Sequence, residues 1–183
     1  MTVSVALVKL MYIDNFYNDI HDIAGAVYDL RYVPKKFGDE VDDFNMIDPS
    51  LLGRFRHMCQ DDKLVIDEQN SGVFRKPMIN IHYEDFKTPL DWCFTIALVE
   101  TQFQLYKHSD GTEDALSNPR LNSYNNNILE WDCITSVTLK PNQCVFFRPW
   151  LYHSFLGGLT QHYIMNHDIN LYTPEEKLKL GLK

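Results

Sequence analysis

Apolar and polar positions change their period along the chain, and that change marks out its elements. Val3 to Asp14 (VSVALVKLMYID) is β-rich and reads as an opening strand. Asn15 to Asn18 is a turn, and from Asp19 to about Leu30 the residues Ile20, Ile23, Ala24, Val27 and Leu30 recur at helical spacing. Gly25 inside this helix costs some stability and suits close packing on a sheet. Tyr32 to Pro49 carries Pro, Gly and five acidic residues and reads as an irregular, mobile loop. A second short helix follows over Ser50 to Gln60, with Leu51, Leu52, Phe55 and Met58 as its apolar stripe.

Strand-like runs then dominate. Lys63 to Asp67, Gly72 to Arg75 and Met78 to Tyr83 are short, and Leu90 to Glu100 (LDWCFTIALVE) is the strongest core strand. Gln102 to His108 is another, and Ser109 to Asn127 is a polar loop of a length that is usually functional or disordered. Trp131 to Leu139 alternates, and Cys144 to Phe147 is wholly apolar, as a strand buried on both faces would be. After Arg148-Pro149 comes Trp-Leu-Tyr-His153-Ser, then Gly157-Gly158, then a further strand-like run from Leu159 to Met165. Thr173-Pro174-Glu175-Glu176 has the form of a helix start. This order predicts one α+β domain whose C-terminal two-thirds is a β-sandwich or barrel. Its parts are an N-terminal strand and helices over 1–62, a β core over 63–171, and a short C-terminal helix and tail over 172–183.

Composition narrows the function classes. At 183 residues the chain can bury a sizeable core, and its 13% aromatic content suits a sheet-rich, aromatic-lined interior. A formal charge of −8 argues against nucleic acid or an anionic membrane surface as the main partner. The four cysteines lack CxxC spacing, and three lie in apolar strand-like runs, so they read as buried free thiols in a reducing cytoplasm. Met1 to Leu10 lacks a basic n-region and reads as strand, not as a signal peptide, and no run approaches a membrane span.

His82-Tyr83-Glu84 closes a strand-like run, where alternate residues share a face, so His82 and Glu84 point the same way. Two His and one carboxylate on one face of a metal, with other positions open, is the arrangement of non-haem Fe(II) oxygenases. His153, several strands later and beside a glycine pair, is the candidate for the second imidazole, at a spacing that a jelly-roll barrel would require; its plainer reading is a packed surface or core histidine. Asp85 competes with Glu84 as the carboxylate. His108 sits where it could line a barrel mouth, while His162 and His167 have no partner at recognisable ligand spacing.

The chain resembles the double-stranded β-helix of the 2-oxoglutarate- and Fe(II)-dependent oxygenases, and more closely a small oxygenase-like family of bacteria and tailed phages. The matching segments are Tyr12-Ile-Asp-Asn-Phe-Tyr17, Ile81-His82-Tyr83-Glu84-Asp85, Leu105-Tyr-Lys107-His108-Ser-Asp-Gly111, Arg148-Pro-Trp-Leu-Tyr-His153-Ser154 and Leu159-Thr-Gln161-His-Tyr-Ile-Met-Asn166. They span residues 11 to 166, and the last block is the most specific. The resemblance implies a jelly-roll or cupin-like barrel with the N-terminal helices packed on one sheet. It also implies Fe(II) held by His82, His153 and either Glu84 or Asp85. Oxygenases of this superfamily usually anchor the co-substrate with Arg or Lys on the strand after the distal His, a bidentate task that suits arginine. Here Ser154 to Leu171 contains neither, and Gly158 stands before Leu-Thr-Gln. Lys107, Arg148, Thr160 and Tyr163 are the remaining candidates for 2-oxoglutarate binding. The plainer readings are Lys107 as a surface lysine, Arg148 as a partner of loop carbonyls, and Tyr163 as core.

The expected function is therefore a cytoplasmic hydroxylase of the 2-oxoglutarate/Fe(II) type, acting on a small molecule or peptide, with a homodimer left open as an assembly. Two alternatives stand beside it. One is a non-catalytic jelly-roll binding or phage accessory protein with a degenerate site. The other is a cupin-like metalloenzyme that does without 2-oxoglutarate.

Overall fold

A computed structural model describes residues 11–35, 38–77, 80–116 and 127–180. The N-terminal third forms β1 (Met11–Ile13), α1 (Ile20–Tyr28), β2 (Tyr32–Lys35), β3 (Gly38–Asn45) and α2 (Leu51–Cys59). β4 (Leu64–Ile66), β5 (Val73–Pro77), β6 (Trp92–Val99) and β7 (Thr101–His108) follow. The chain closes with β8 (Trp131–Leu139), β9 (Cys144–Phe147), β10 (His153–Leu156), β11 (Leu159–His167) and α3 (Pro174–Leu180). The described residues are thus α+β, with three α-helices and two antiparallel sheets.

The larger sheet has eight strands in the order β1-β9-β6-β11-β5-β3-β2, with β4 added beside β11. The smaller has the order β10-β7-β8. Among the described residues the strands make two sheets and no closed barrel. The central strands β6 and β9 of the larger sheet are buried on both faces, which explains their near-continuous apolar runs. Phe94, Ile96 and Leu98 of β6, with Cys144 and Phe146 of β9, point to the side that holds Phe16, Leu51 and Phe55 from the helical region. Cys93, Ala97, Val145 and Phe147 from the same strands point to the smaller sheet, where they meet Phe103, Leu105 and Phe155.

Three expectations change. Tyr32 to Pro49 contains the β2–β3 hairpin, with Tyr32 opposite Val41 and Pro34 opposite Asp39. This hairpin ends the sheet order, where proline and charge are tolerated and only one side needs apolar residues, so its polar composition masks the strands. Gly25 is exposed, and a Cβ there would meet nothing within 4 Å, so it makes no close sheet contact. All four cysteines are free, but Cys133 is exposed on β8, whereas Cys93 and Cys144 are buried.

Other features follow their local chemistry. A Cβ on Gly158, at φ +75°, would lie 2.5 Å from the Glu100 carbonyl oxygen, so the turn from β10 to β11 requires glycine there. Thr173 Oγ1 accepts from the Glu176 N–H (3.2 Å) while Glu176 Oε2 accepts from the Thr173 N–H (2.7 Å), a reciprocal cap for α3. The expected strand over residues 3–10, the start of the run at 78–79 and residues 117–126 of the polar loop lie outside the described residues. Among the described residues no helix is long and apolar enough to cross a membrane.

Candidate metal centre

The extended segment at His82 pairs with the first residue of β10. The His82 N–H donates to the His153 carbonyl (3.0 Å) and the His153 N–H donates back (2.8 Å), which sets the two imidazoles 4.5 Å apart, ring centre to ring centre. Glu84 follows two residues on, its own N–H bonded to the Pro149 carbonyl at 2.9 Å. Strand-like alternation keeps His82 and Glu84 on the inner side, while Tyr83 packs against Tyr152 and Phe86.

Each imidazole is oriented the same way. His82 Nδ1 lies 2.7 Å from the Asn80 carbonyl oxygen and His153 Nδ1 lies 2.8 Å from that of Leu151. A carbonyl only accepts, so each Nδ1 carries a proton, and in a neutral ring Nε2 then presents the lone pair. Metal-binding histidines are held in this way by their second nitrogen. The Nε2 atoms of His82 and His153 lie 3.5 and 3.9 Å from Glu84 Oε1. One donor atom from each of the three residues falls within 4.8 Å of the others, and their exposures are 2%, 0% and 4% for His82, His153 and Glu84. His153 Nε2 is buried and makes no hydrogen bond among the described residues, a state that costs roughly 1–3 kcal/mol unless another partner satisfies it. Two neutral nitrogen donors and a carboxylate oxygen are a donor set that a divalent metal fits.

The surroundings of His153 and Glu84 set their charge states. Burial, and then the neighbouring His82, lowers the His153 pKa to about 4, so its lone pair is available at neutral pH. Burial alone would raise Glu84, but the Arg75 guanidinium, with His153 and His82, outweighs it and holds Glu84 well below the usual carboxylate range. Asp85 is exposed and lies outside the triad.

Two further residues enter the site that spacing did not reveal. Arg75, on β5, donates from Nη1 to Glu84 Oε1 at 2.8 Å and from Nε to Glu40 Oε1 at 3.0 Å. Its signal was a basic residue directly after Val73-Phe74 in a short buried strand. β5 pairs with β11 and puts Arg75 opposite Thr160. A buried cation thus lies on the strand beside the one where the resemblance led us to look. His162 is also buried, with Nδ1 2.9 Å from Thr95 Oγ1 and Nε2 3.2 Å from Thr160 Oγ1. Burial, then the Arg75 charge, keeps it neutral by lowering its pKa well below the ordinary value. Arg75, Glu84 and His162, together with Lys35, Glu40 and Asp85, line a cleft of about 250 Å³.

The other candidates are placed as follows. Thr160 Oγ1 donates to the Arg75 carbonyl (3.3 Å) and adjoins the cleft through His162. Lys107 pairs with Glu113 at 3.3 Å and its side chain is 39% exposed. The Arg148 guanidinium lies 3.6 Å over the Trp92 ring and donates to the carbonyls of Leu90 and Asp91, the plainer of its two readings. Tyr163 points to the helix-covered face, where its hydroxyl donates to the Met46 carbonyl at 3.1 Å. A larger groove of about 610 Å³ runs between α1 and β3, but its lining, mainly Ile23, Val27, Leu30, Phe44 and Met46, offers no imidazole or thiol.

Compared with known proteins, the chain matches no family model and no curated protein.

Proposed function

We propose that the protein is a metal-dependent oxygenase of the 2-oxoglutarate/Fe(II) type on a double-stranded β-helix. The observation that carries this reading is that one buried donor atom from each of His82, Glu84 and His153 lies within 4.8 Å of the others, with a polar cleft beside Glu84. The strand pairing supports the fold half. Taken from β5 onward, the pairs are β5 with β11, the His82 segment with β10, β6 with β9, and β7 with β8. These pairs are nested like the rungs of one long hairpin, and rolling such a hairpin into two sheets gives a jelly roll.

His82, Glu84 and His153 would hold the metal. When bound, Fe(II) with open positions supplies the O2-dependent oxidation of a substrate C–H bond, coupled to oxidation of a 2-oxo acid. The chain's own part is positional. The backbone carbonyls of Asn80 and Leu151 fix both rings, burial keeps His153 neutral, and Arg75 holds positive charge at the cleft wall. Phe147, Phe103 and Phe155 surround His153 and keep water from that side.

The Arg75–Glu84 ion pair favours a second reading. In it Glu84 is neutralised by arginine alone and the domain is a non-catalytic binding module. Anaerobic titration with Fe(II) and then 2-oxoglutarate separates the two. The oxygenase reading expects a visible charge-transfer band in the wild type and none in His153→Ala. Iron binding without the band points to metal chemistry of another kind, and absence of iron binding sinks the oxygenase.

A further inference from the structure

Arg75 holds two carboxylates at once. On β5 it stands directly opposite Glu40 of β3, and its Nε and Nη2 both reach Glu40 Oε1 at 3.0 Å. Its Nη1 donates to Glu84 Oε1 at 2.8 Å. A guanidinium can serve two acceptors in this way because its N–H groups are fixed in one planar fork. The two carboxylates differ in setting: the Glu84 side chain is 5% exposed and that of Glu40 is 18% exposed.

The oxygen that Arg75 takes is the one a metal would use. Glu84 Oε1 lies 3.5 Å from His82 Nε2 and 3.9 Å from His153 Nε2. A guanidinium and a divalent cation on the triad therefore compete for one carboxylate oxygen. Burial sharpens the competition, because little water is present to screen either cation. Glu40 changes its terms. An arginine that gives up Glu84 keeps a carboxylate partner in Glu40, and so avoids the cost of an unpaired buried charge. Arg75 with both carboxylates also carries one net negative charge, which attracts a cation, whereas Arg75 with Glu84 alone carries none.

We propose that Arg75 is a built-in competitor for the metal centre and that Glu40 is the positioning residue that draws it off. In the metal-free protein the guanidinium bridges Glu40 and Glu84. On metal binding Arg75 releases Glu84 Oε1 and stays on Glu40. The role rests on the metal-centre reading above, and it makes the ion pair and the loaded metal site two states of the same three residues. Glu40→Gln keeps an oxygen acceptor for the guanidinium but removes the charge that holds it away from Glu84.

The probe is Mn(II) alone, with binding followed by electron paramagnetic resonance and by the rise it causes in the urea midpoint. Glu40→Gln is expected to weaken Mn(II) about tenfold, the lower end of the effect of losing an outer partner of a metal ligand. Arg75→Met removes the competitor, so it should bind Mn(II) more tightly than the wild type and gain more stability from it. The Glu40→Gln loss should persist at high salt, since contacts between buried groups are screened little. A loss that salt abolishes makes Glu40 a distant charge only and overturns the proposal. So does a Glu40→Gln protein that melts lower with wild-type Mn(II) affinity, the result of a purely structural pair, and the metal centre survives that outcome. If Arg75→Met does not fold, Glu40→Gln decides alone. Mn(II) binding by Arg75→Met and not by the wild type supports the proposal and makes the competition complete. If neither the wild type nor any folded variant binds Mn(II), the metal centre is rejected and the proposal with it.

Discussion

On the helix-covered face of the eight-stranded sheet β11 presents Leu159, Tyr163 and Met165, and on the opposite face it presents Thr160, His162 and Ile164. All six are buried. Around Gln161 and Tyr163 the helix-covered face takes its polar groups in neutral pairs: Tyr17 donates to Gln161 Oε1 (2.6 Å), and Gln161 Nε2 and the Tyr163 hydroxyl both reach the Met46 carbonyl. The facing-sheet side instead gathers Arg75, Glu84, His82, His153 and His162, and among the described residues leaves His153 Nε2 without a hydrogen bond. Equal burial with unequal satisfaction is informative. The first face is organised for packing, whereas the second carries an electrostatic cost that packing gains do not require.

Substitutions on the two faces should therefore fail differently. Phe55→Ala is the largest expected loss. Its ring lies 4.2 Å from Phe94, 5.4 Å from Tyr163 and 5.8 Å from Phe16, centre to centre, so truncation should cost about 3–5 kcal/mol. Urea denaturation measures that loss, and metal affinity of the remaining folded protein should be unchanged. His153→Ala should do the reverse. It should lower Fe(II) or Mn(II) affinity by more than the roughly 10–100-fold that loss of an outer partner causes, since it removes a ligand itself. Its metal-free stability should fall less than that of Phe55→Ala. If both variants lost stability and metal affinity together, the division between the faces would not hold.

Two histidines of β11 extend the contrast to pH. Burial opposes charge on His167, but Asp91 and Asp61 outweigh it and raise its pKa, with Asp61 Oδ2 2.6 Å from Nε2. A raised folded value means that its contribution is full below the unfolded histidine value of roughly 6.5 and is lost as pH rises through the folded value. His162, depressed by burial and by Arg75, has the opposite sign: its neutral state is favoured above roughly 6.5, and stability falls as pH drops below that. The urea midpoint should thus decline on both sides of neutrality. Asp61→Asn should flatten the alkaline limb and His162→Gln the acid one. A single variant that removed both limbs would contradict the assignment.

What was legible in the sequence follows the range of the interactions involved. β6 and β9 stood out because both their faces are buried, and α2 because Leu51 and Phe55 recur at helical spacing. His82 and Glu84 could be paired because the alternation that joins them is local, and His153 because a glycine pair and a strand follow it. Arg75 could not be found in this way. Its role depends on β5 lying beside β11, a pairing that brings residue 75 opposite residue 160 and leaves no mark in local spacing. His162 looked partnerless for the same reason, since Thr95 is 67 residues away. The β2–β3 hairpin was hidden by its own edge chemistry, and the choice between Glu84 and Asp85 depended on which of them the fold buries.

The smallest effect tests whether the helical layer is only a cover. α1 buries Ile20 and Val27 and leaves Gly25 exposed in its interior, where a Cβ would meet nothing within 4 Å. Glycine lacks the helix propensity of alanine, so Gly25→Ala should stabilise the protein by about 1 kcal/mol, seen as a higher urea midpoint with an unchanged slope. Nothing on the facing-sheet side touches this position, and the eight-stranded sheet lies between α1 and the triad. Metal affinity should therefore equal that of the wild type. A stabilised variant with altered metal affinity would mean that the helix layer and the triad move together. The two faces would then be coupled through β6 and β11, the strands they share.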